Sequence, residues 1–141
     1  MFITIVITLF LVLSTISFRY WVLEQLTKML PDKENDHCRF LQALKILILL
    51  FCSHVAEIFW FAVGLFVSAH WFHLGSLGKS LGHTFMDFFY HSAVTYSTLG
   101  VSSLPEGHLK FITAMESLTG IIILTWSATF FYSVMGHSRE S

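Results

Sequence analysis

Three side chains of metal-binding type recur at a spacing of four residues in the second half of the chain. They are His83, Asp87 and His91, and on a helix this spacing places them in one stripe. Imidazole and carboxylate groups are ligands of zinc and iron. The stripe is therefore compatible with a metal site, at which the metal ion would supply redox or Lewis-acid chemistry. It is equally compatible with hydrogen bonds that hold a neighbouring segment, which is the interpretation we favour.

A second ionisable pair, His54 and Glu57, lies three residues apart in a run that is otherwise apolar. Such groups are costly inside a membrane unless they are paired, so we expect them to face each other or a neighbouring helix. Two interpretations remain open. The pair could fix helix packing through hydrogen bonds, which we favour, or it could act as a proton-sensitive gate, because histidine changes charge between about pH 5 and 8.

The composition indicates a membrane protein. Of the 141 residues, 55% are hydrophobic and 12% are charged, and the mean hydropathy is +0.69. A formal net charge of -1 offers no basic surface for phosphates, so we expect no nucleic-acid partner. The sequence has no Walker motif and no catalytic dyad, and we predict neither enzymatic activity nor a cofactor.

Three apolar runs are long enough to cross a lipid bilayer as helices. They extend over Met1–Phe18, Leu41–Ser68 and Leu109–Met135. We expect the first to be retained rather than removed as a signal peptide, because no basic residue precedes it and no clear cleavage site follows. The predicted organisation is an N-terminal helix and loop (1–40), a four-part helical domain (41–136) and a short tail (137–141).

A different segment lies between the second and third spans. Residues His83–Thr98 have a helical composition but are too short and too polar to cross a membrane alone. We therefore predict a re-entrant half-helix followed by an extended piece over Leu99–Pro105. Bare backbone at membrane depth is tolerated only where protein buries it or where it lines water, so this piece predicts an aqueous pathway.

Basic residues predict the orientation of the chain, because they concentrate in cytoplasmic loops. Five of them lie in or beside the connection between the first two spans: Arg19, Lys28, Lys33, Arg39 and Lys45. This places the N-terminus outside and the C-terminus in the cytoplasm. The brevity of the chain suits a bacterial inner membrane.

The stretch from Tyr90 to Pro105, read between a short helix and a long apolar one, resembles the pore loop of the two-transmembrane potassium-channel family. That family has an aromatic residue in its pore helix, then T-x-T-T-V-G-Y-G-D, and a proline shortly afterwards. Here Tyr90 fills the aromatic position, and Leu99-Gly100 matches Val-Gly. The three hydroxyl positions hold Thr95, Ser97 and Thr98.

The last apolar run extends this resemblance through Glu116 and Gly120, which match an E-x-L-x-G segment. The resemblance implies that Glu116 braces the loop from behind, with a pore-loop amide or hydroxyl as its partner. Gly120 would be either a hinge or a packing contact. Thr125, one to two turns further on, would face a water-filled cavity.

The function implied by the resemblance is a homotetrameric, all-helical cation channel with three membrane spans and a re-entrant pore helix. Its selectivity filter would comprise Thr98, Leu99, Gly100, Val101 and Ser102, whose carbonyl oxygens replace the hydration shell of potassium. Val101-Ser102-Ser103 stands where the family has Tyr-Gly-Asp, so we expect passage of both potassium and sodium. The alternatives are a metal-binding or redox membrane protein and a non-conducting channel-like subunit.

Overall fold

A computed structural model describes residues 1–29, 36–78, 84–100 and 104–136. These residues form four helices and contain no strand: α1 (Phe2–Lys28), α2 (Asp36–His70), α3 (Phe85–Tyr96) and α4 (Leu109–Gly136). Three are long and apolar enough to cross a membrane, namely α1, α2 over Leu41–His70 and α4 over Leu109–Val134. The prediction of an all-helical fold with three apolar helices long enough to cross a membrane is confirmed.

The first span differs from its predicted bounds. The apolar run was expected to end at Phe18, with Arg19 in or beside the connection to the second span, but α1 continues without a break to Lys28. A helix of this length measures about 40 Å. The Arg19 side chain is fully buried among the helices. Arg19 therefore does not belong with the loop residues that set the orientation of the chain.

One stripe of α1 faces the other helices. Its buried members recur at spacings of three and four residues: Thr4, Thr8, Leu11, Thr15, Arg19, Leu23 and Leu26. The hydroxyls of Thr8 and Thr15 donate to carbonyl oxygens one turn earlier, which lets these polar side chains pack without an external partner. Leu11 lies against Gly64 of α2, where a β-carbon would collide with it.

Two apolar clusters fill the bundle, one towards each end. The first joins Leu11 of α1 to side chains of the other three helices, including Phe61, Phe88 and Ile112. The second joins the C-terminal part of α1 to the beginning of α2 and the end of α4, and includes Leu23, Leu26, Ile46, Leu50 and Phe130. Arg19, Ser53, His54 and Glu57 lie between the two clusters along their helices and form a polar layer that is largely buried.

The short helix α3 packs between α2 and α4. Its first residues contact the C-terminal part of α2, where Phe85 and Phe88 pack edge-on against Phe66. Its last residue, Tyr96, contacts Glu57 near the middle of the apolar part of α2. The predicted short helix is therefore present, and its 12 residues are about a third of the 35 residues of α2.

After α3 the chain returns to the end of the bundle where that helix began. The Glu106 amide donates to the Ser76 carbonyl at 2.7 Å, and the His108 amide donates to the Leu74 carbonyl at 2.8 Å. Gly75 makes this close backbone contact possible, since a β-carbon there would lie 2.0 Å from the Glu106 carbonyl oxygen. The segment before α4 is thus fastened to the segment after α2.

Candidate functional site

The buried polar layer is centred on an ion pair between α1 and α2. An Arg19 terminal nitrogen lies 2.6 Å from Glu57 Oε2, and both side chains are at most 1% exposed. The guanidinium also donates to Ser53 Oγ at 2.8 Å. Since an isolated buried charge is expensive, each of these two groups requires the other. Within the described ranges, Arg19 Nε and Glu57 Oε1 have no hydrogen-bond partner, so the bonds converge on Glu57 Oε2.

His54 belongs to the same layer. Its Nδ1 lies 2.7 Å from an Arg19 terminal nitrogen and 3.3 Å from Glu57 Oε2. Because arginine offers only donors, Nδ1 is the accepting nitrogen of the ring in this arrangement. His54 and Glu57 face each other at a helix interface, but Nδ1 accepts from Arg19 and so cannot also donate to Glu57 Oε2. The two side chains share the Arg19 guanidinium as their donor. Their role as a proton-sensitive gate stays a prediction.

Tyr96 connects the polar layer to α3. Its hydroxyl donates to Glu57 Oε2 at 2.5 Å and lies 3.0 Å from His54 Nδ1. The side chain is 1% exposed, and it belongs to the last residue of the helix. The end of α3 is therefore held by a charge-assisted hydrogen bond to the centre of α2.

Glu116 of α4 forms a second buried polar contact with α3. It accepts a hydrogen bond from Ser92 Oγ, which also lies 2.9 Å from the Ile58 carbonyl oxygen of α2. Its partner is thus a hydroxyl on α3. Glu116 Oε2 has no partner among the described residues, although the side chain is fully buried.

Gly120 lies one turn beyond Glu116 and contacts the backbone of α3. A β-carbon at this position would lie 2.3 Å from the Tyr96 carbonyl oxygen. Helix α4 passes through Gly120 without interruption. In this arrangement Gly120 acts as a packing contact that lets α3 and α4 approach closely.

The loop after α3 begins with a left-handed turn. Thr98 has a φ of 60°, its amide donates to the Thr95 carbonyl, and the Leu99 amide donates to the Val94 carbonyl. These are the two hydrogen bonds of a Schellman motif, in which the left-handed position usually holds glycine. Gly100 has a φ of 88°, which agrees with the expectation that this position needs glycine.

The remaining predicted pore residues are distributed as follows. Ser97, Thr98, Leu99 and Gly100 are exposed, whereas Thr95 is buried and its hydroxyl has no partner in the described part of the chain. Tyr90 is 62% exposed and Thr125 is exposed on α4. Val101, Ser102 and Ser103 lie outside the described residues.

The predicted metal stripe is described only in part, because His83 lies outside the described residues. Asp87 accepts a hydrogen bond from the Thr84 amide at 3.1 Å and so caps the beginning of α3. His91 Nε2 lies 3.1 Å from Thr113 Oγ1 of α4. Over residues 1–29, 36–78, 84–100 and 104–136, no group of three metal-ligating side chains comes together.

Sequence reasoning missed three residues of this site: Arg19, Ser92 and Tyr96. Arg19 was interpreted as a loop residue, and Tyr96 occupies the variable position between two hydroxyl residues of the filter pattern. The sequence did contain a signal for Arg19, namely its charge. Arg19 and Glu57 are isolated residues of opposite sign in apolar surroundings, and each is the obvious partner for the other.

Comparison of the chain with protein-family models, curated proteins and solved structures gives no match. The resemblance to the potassium-channel pore loop therefore depends on the sequence motif alone.

Proposed function

We propose that the chain is one subunit of a homotetrameric cation channel, in which α3 is a re-entrant pore helix and the loop after it lines the ion pathway. The observation that carries the proposal is the course of the chain around α3. It enters beside the C-terminal end of α2, reaches the level of Glu57, and returns to Leu74 and Ser76 before α4 begins. Twelve residues of helix measure about 18 Å, roughly half of a membrane's hydrocarbon core.

The loop supplies the polar groups that an ion pathway needs. Residues 97–100 are exposed, and Leu99 is 81% exposed. Backbone at this depth in a membrane requires water or further protein around it. Four copies arranged around one axis would meet that requirement, with rings of carbonyl and threonine oxygens that replace the hydration shell of a cation.

The direction of α3 favours cations. Its C-terminal end, at Tyr96 and Ser97, points towards the middle of the bundle. The aligned peptide dipoles of the helix give this end a partial negative charge, equivalent to about half an elementary charge. An ion that reaches this end of the helix is therefore stabilised if it is positive.

An exposed face of α4 is suited to the proposed cavity. Thr125 and Thr129 are both exposed and lie one turn apart, and the Thr129 hydroxyl donates to the Thr125 carbonyl at 3.0 Å. In the tetramer, we assign this face to the water-filled space below the filter. Potassium and sodium are the permeant ions, and the pore needs no cofactor.

We retain a bacterial inner membrane as the location, with the N-terminus outside and the C-terminus in the cytoplasm. Removing Arg19 from the loop leaves Lys28, Lys33, Arg39 and Lys45 in or beside the connection between α1 and α2. Positive residues near the ends of membrane spans set orientation, so this side remains the cytoplasmic one in the proposal.

The deciding experiment combines particle symmetry with ion flux. Purified protein in lipid nanodiscs is expected to be fourfold symmetric, with residues 98–100 around the axis, and reconstituted protein is expected to give single-channel steps in potassium. Gly100→Ala should lower the potassium flux, because it places a β-carbon at a φ of 88°. Gly78→Ala is the matched control, since Gly78 has a φ of 98° but lies outside the loop.

A monomer or a dimer with the loop facing lipid would end the channel proposal. A tetramer that gives no single-channel steps would identify the non-conducting alternative. Equal loss of flux in Gly100→Ala and Gly78→Ala would show that backbone strain anywhere in the connections impairs the protein, and would remove the special role of the loop.

A further inference from the structure

Arg19 and the loop after α3 are linked by a continuous chain of side-chain contacts. Arg19 lies 2.6 Å from Glu57 Oε2, and the same carboxylate oxygen accepts the hydrogen bond of the Tyr96 hydroxyl at 2.5 Å. Tyr96 is the last residue of α3 and directly precedes the exposed residues 97–100. Two side-chain contacts therefore separate α1 from the base of the loop.

Each link in this chain is buried and charge-assisted. Arg19, Glu57 and Tyr96 are at most 1% exposed, so water does not compete for their hydrogen bonds. Arg19 also contacts Ser53 and His54, which restricts the guanidinium to one position. A carboxylate held in this way gives the Tyr96 hydroxyl a fixed acceptor, and it is the nearer of the two polar atoms beside that hydroxyl.

The hydrogen bonds of the loop depend on the turn that Tyr96 ends. The Thr98 amide donates to the Thr95 carbonyl and the Leu99 amide donates to the Val94 carbonyl. Both acceptors lie within the last turn of α3. A shift of Tyr96 would therefore move the two carbonyl acceptors that hold the left-handed turn at Thr98.

We propose that Arg19 is a positioning residue for the loop after α3, and that it acts through Glu57 and the Tyr96 hydroxyl. Helix α1 is then more than a membrane anchor, because it supplies the charge that orients the carboxylate to which α3 is fastened. The inference depends on the proposed function only in identifying residues 97–100 as an ion pathway. The positioning itself can be measured without ion flux.

The test is hydrogen exchange at the Thr98 and Leu99 amides in the full-length protein in nanodiscs. Tyr96→Phe removes the hydroxyl and leaves the Arg19–Glu57 pair intact, whereas Arg19→Met removes the charge. Trp60→Phe is the control, since it breaks the 2.8 Å hydrogen bond from Trp60 Nε1 to Ser14 Oγ, which also joins α1 to α2 but does not reach α3.

We expect the Thr98 and Leu99 amides to exchange about tenfold faster in Tyr96→Phe and in Arg19→Met than in the parent. In Trp60→Phe, the two amides should exchange at the parent rate. Tyr96→Phe is decisive if Arg19→Met does not assemble. Parent-like exchange in Tyr96→Phe, or equal acceleration in Trp60→Phe, would overturn the positioning role.

Potassium and sodium flux, recorded on the same samples, separates the two proposals. Faster loop exchange in Tyr96→Phe together with a parent that does not conduct would keep the positioning role and refute the channel. A parent that conducts, together with unchanged loop exchange in Tyr96→Phe, would keep the channel proposal and refute the positioning role. If both proposals hold, Tyr96→Phe also changes the ratio of potassium to sodium flux, which Trp60→Phe leaves at the parent value.

Discussion

Gly120 of α4 lies directly against the backbone of Tyr96 in α3. A β-carbon added at Gly120 would lie 2.3 Å from the carbonyl oxygen, 3.0 Å from the carbonyl carbon and 3.1 Å from the α-carbon of Tyr96. All three atoms are main chain and cannot rotate away. The same residue whose hydroxyl is fastened to α2 is thus confined by α4 on its backbone side.

Gly120→Ala should therefore destabilise the protein. Either α3 or α4 must move to admit the methyl group, and overpacking of this kind costs about 1–3 kcal/mol. The control is Gly64→Ala, because the added β-carbon there would meet only the side chain of Leu11. That side chain can change rotamer, so we expect a smaller loss. Thermal unfolding in detergent measures both.

This comparison also decides between the two roles that the sequence left open for Gly120. A packing contact predicts a lower unfolding temperature for Gly120→Ala than for Gly64→Ala. A hinge predicts a normal unfolding temperature together with a channel that opens less often. The second result would contradict the packing role.

Ser92→Ala is expected to be more damaging than its small change in volume implies. Ser92 is the one hydrogen-bond partner of the Glu116 carboxyl among the described residues, and Glu116 is fully buried. Without the hydroxyl, Glu116 Oε1 loses its partner and joins Oε2, which has none among the described residues. An unsatisfied buried polar group costs about 1–3 kcal/mol. Ser127→Ala is the control, because it removes a buried serine hydroxyl that donates to the Ile123 carbonyl of its own helix and leaves no carboxyl unsatisfied.

A double-mutant cycle makes this prediction specific. If Ser92 acts through Glu116, the cost of Ser92→Ala should shrink in a Glu116→Leu background, where no carboxyl remains to be satisfied. Equal cost in both backgrounds would attribute the effect to the Ser92 bond with the Ile58 carbonyl instead.

Thr98→Gly should stabilise the fold and impair conduction at the same time. Thr98 adopts a φ of 60°, a region that a β-branched residue enters at a cost of about 1–2 kcal/mol and glycine enters freely. The variant should therefore unfold at a higher temperature. It also removes the Thr98 hydroxyl, which is one of the threonine oxygens proposed to line the ion pathway, so the potassium flux should fall.

Ser97→Gly is the control for the backbone effect. Ser97 has a φ of -78°, where glycine brings no relief and adds flexibility to the unfolded chain. The unfolding temperature should therefore fall slightly. A Thr98→Gly protein that is no more stable than the parent would contradict the left-handed conformation of Thr98.

The spans and the short helix could be predicted because their signals are local. Apolar runs of sufficient length indicate membrane helices, and the half-length segment around Phe85–Tyr96 differs from them in polarity. The predicted end of the first span, at Phe18, was wrong for a related reason. A charged residue usually ends an apolar run, but Arg19 is neutralised by Glu57, which lies 38 residues further along the chain.

Which of the two tyrosines of α3 is buried could not be predicted from the motif alone. The pattern assigns the aromatic position to Tyr90, but Tyr90 is 62% exposed and Tyr96 is 1% exposed. Burial of Tyr96 requires a hydrogen-bond acceptor at its hydroxyl, and that acceptor belongs to α2. Partners supplied by another helix depend on packing, which a single-sequence pattern does not contain.

The last prediction concerns ion selectivity and depends on the departure of residues 101–103 from the family pattern. Discrimination of potassium from sodium uses several carbonyl rings in series, so losing the outer rings should weaken it. Val101 lacks the hydroxyl that anchors a tyrosine, Ser102 resists backbone angles that glycine adopts, and Ser103 removes a carboxylate at the mouth. We expect a pore with little preference between potassium and sodium.

The measurement is the reversal potential with potassium on one side of a planar bilayer and sodium on the other. The parent should reverse near zero, and the triple variant Val101→Tyr, Ser102→Gly, Ser103→Asp should reverse closer to the potassium equilibrium potential. Ser103→Asp alone is the control, because it restores the charge at the mouth without the carbonyl geometry. If the parent already reverses at the potassium potential, Thr98–Ser102 forms a selective filter despite its composition, and the weak-selectivity prediction is wrong while conduction stands.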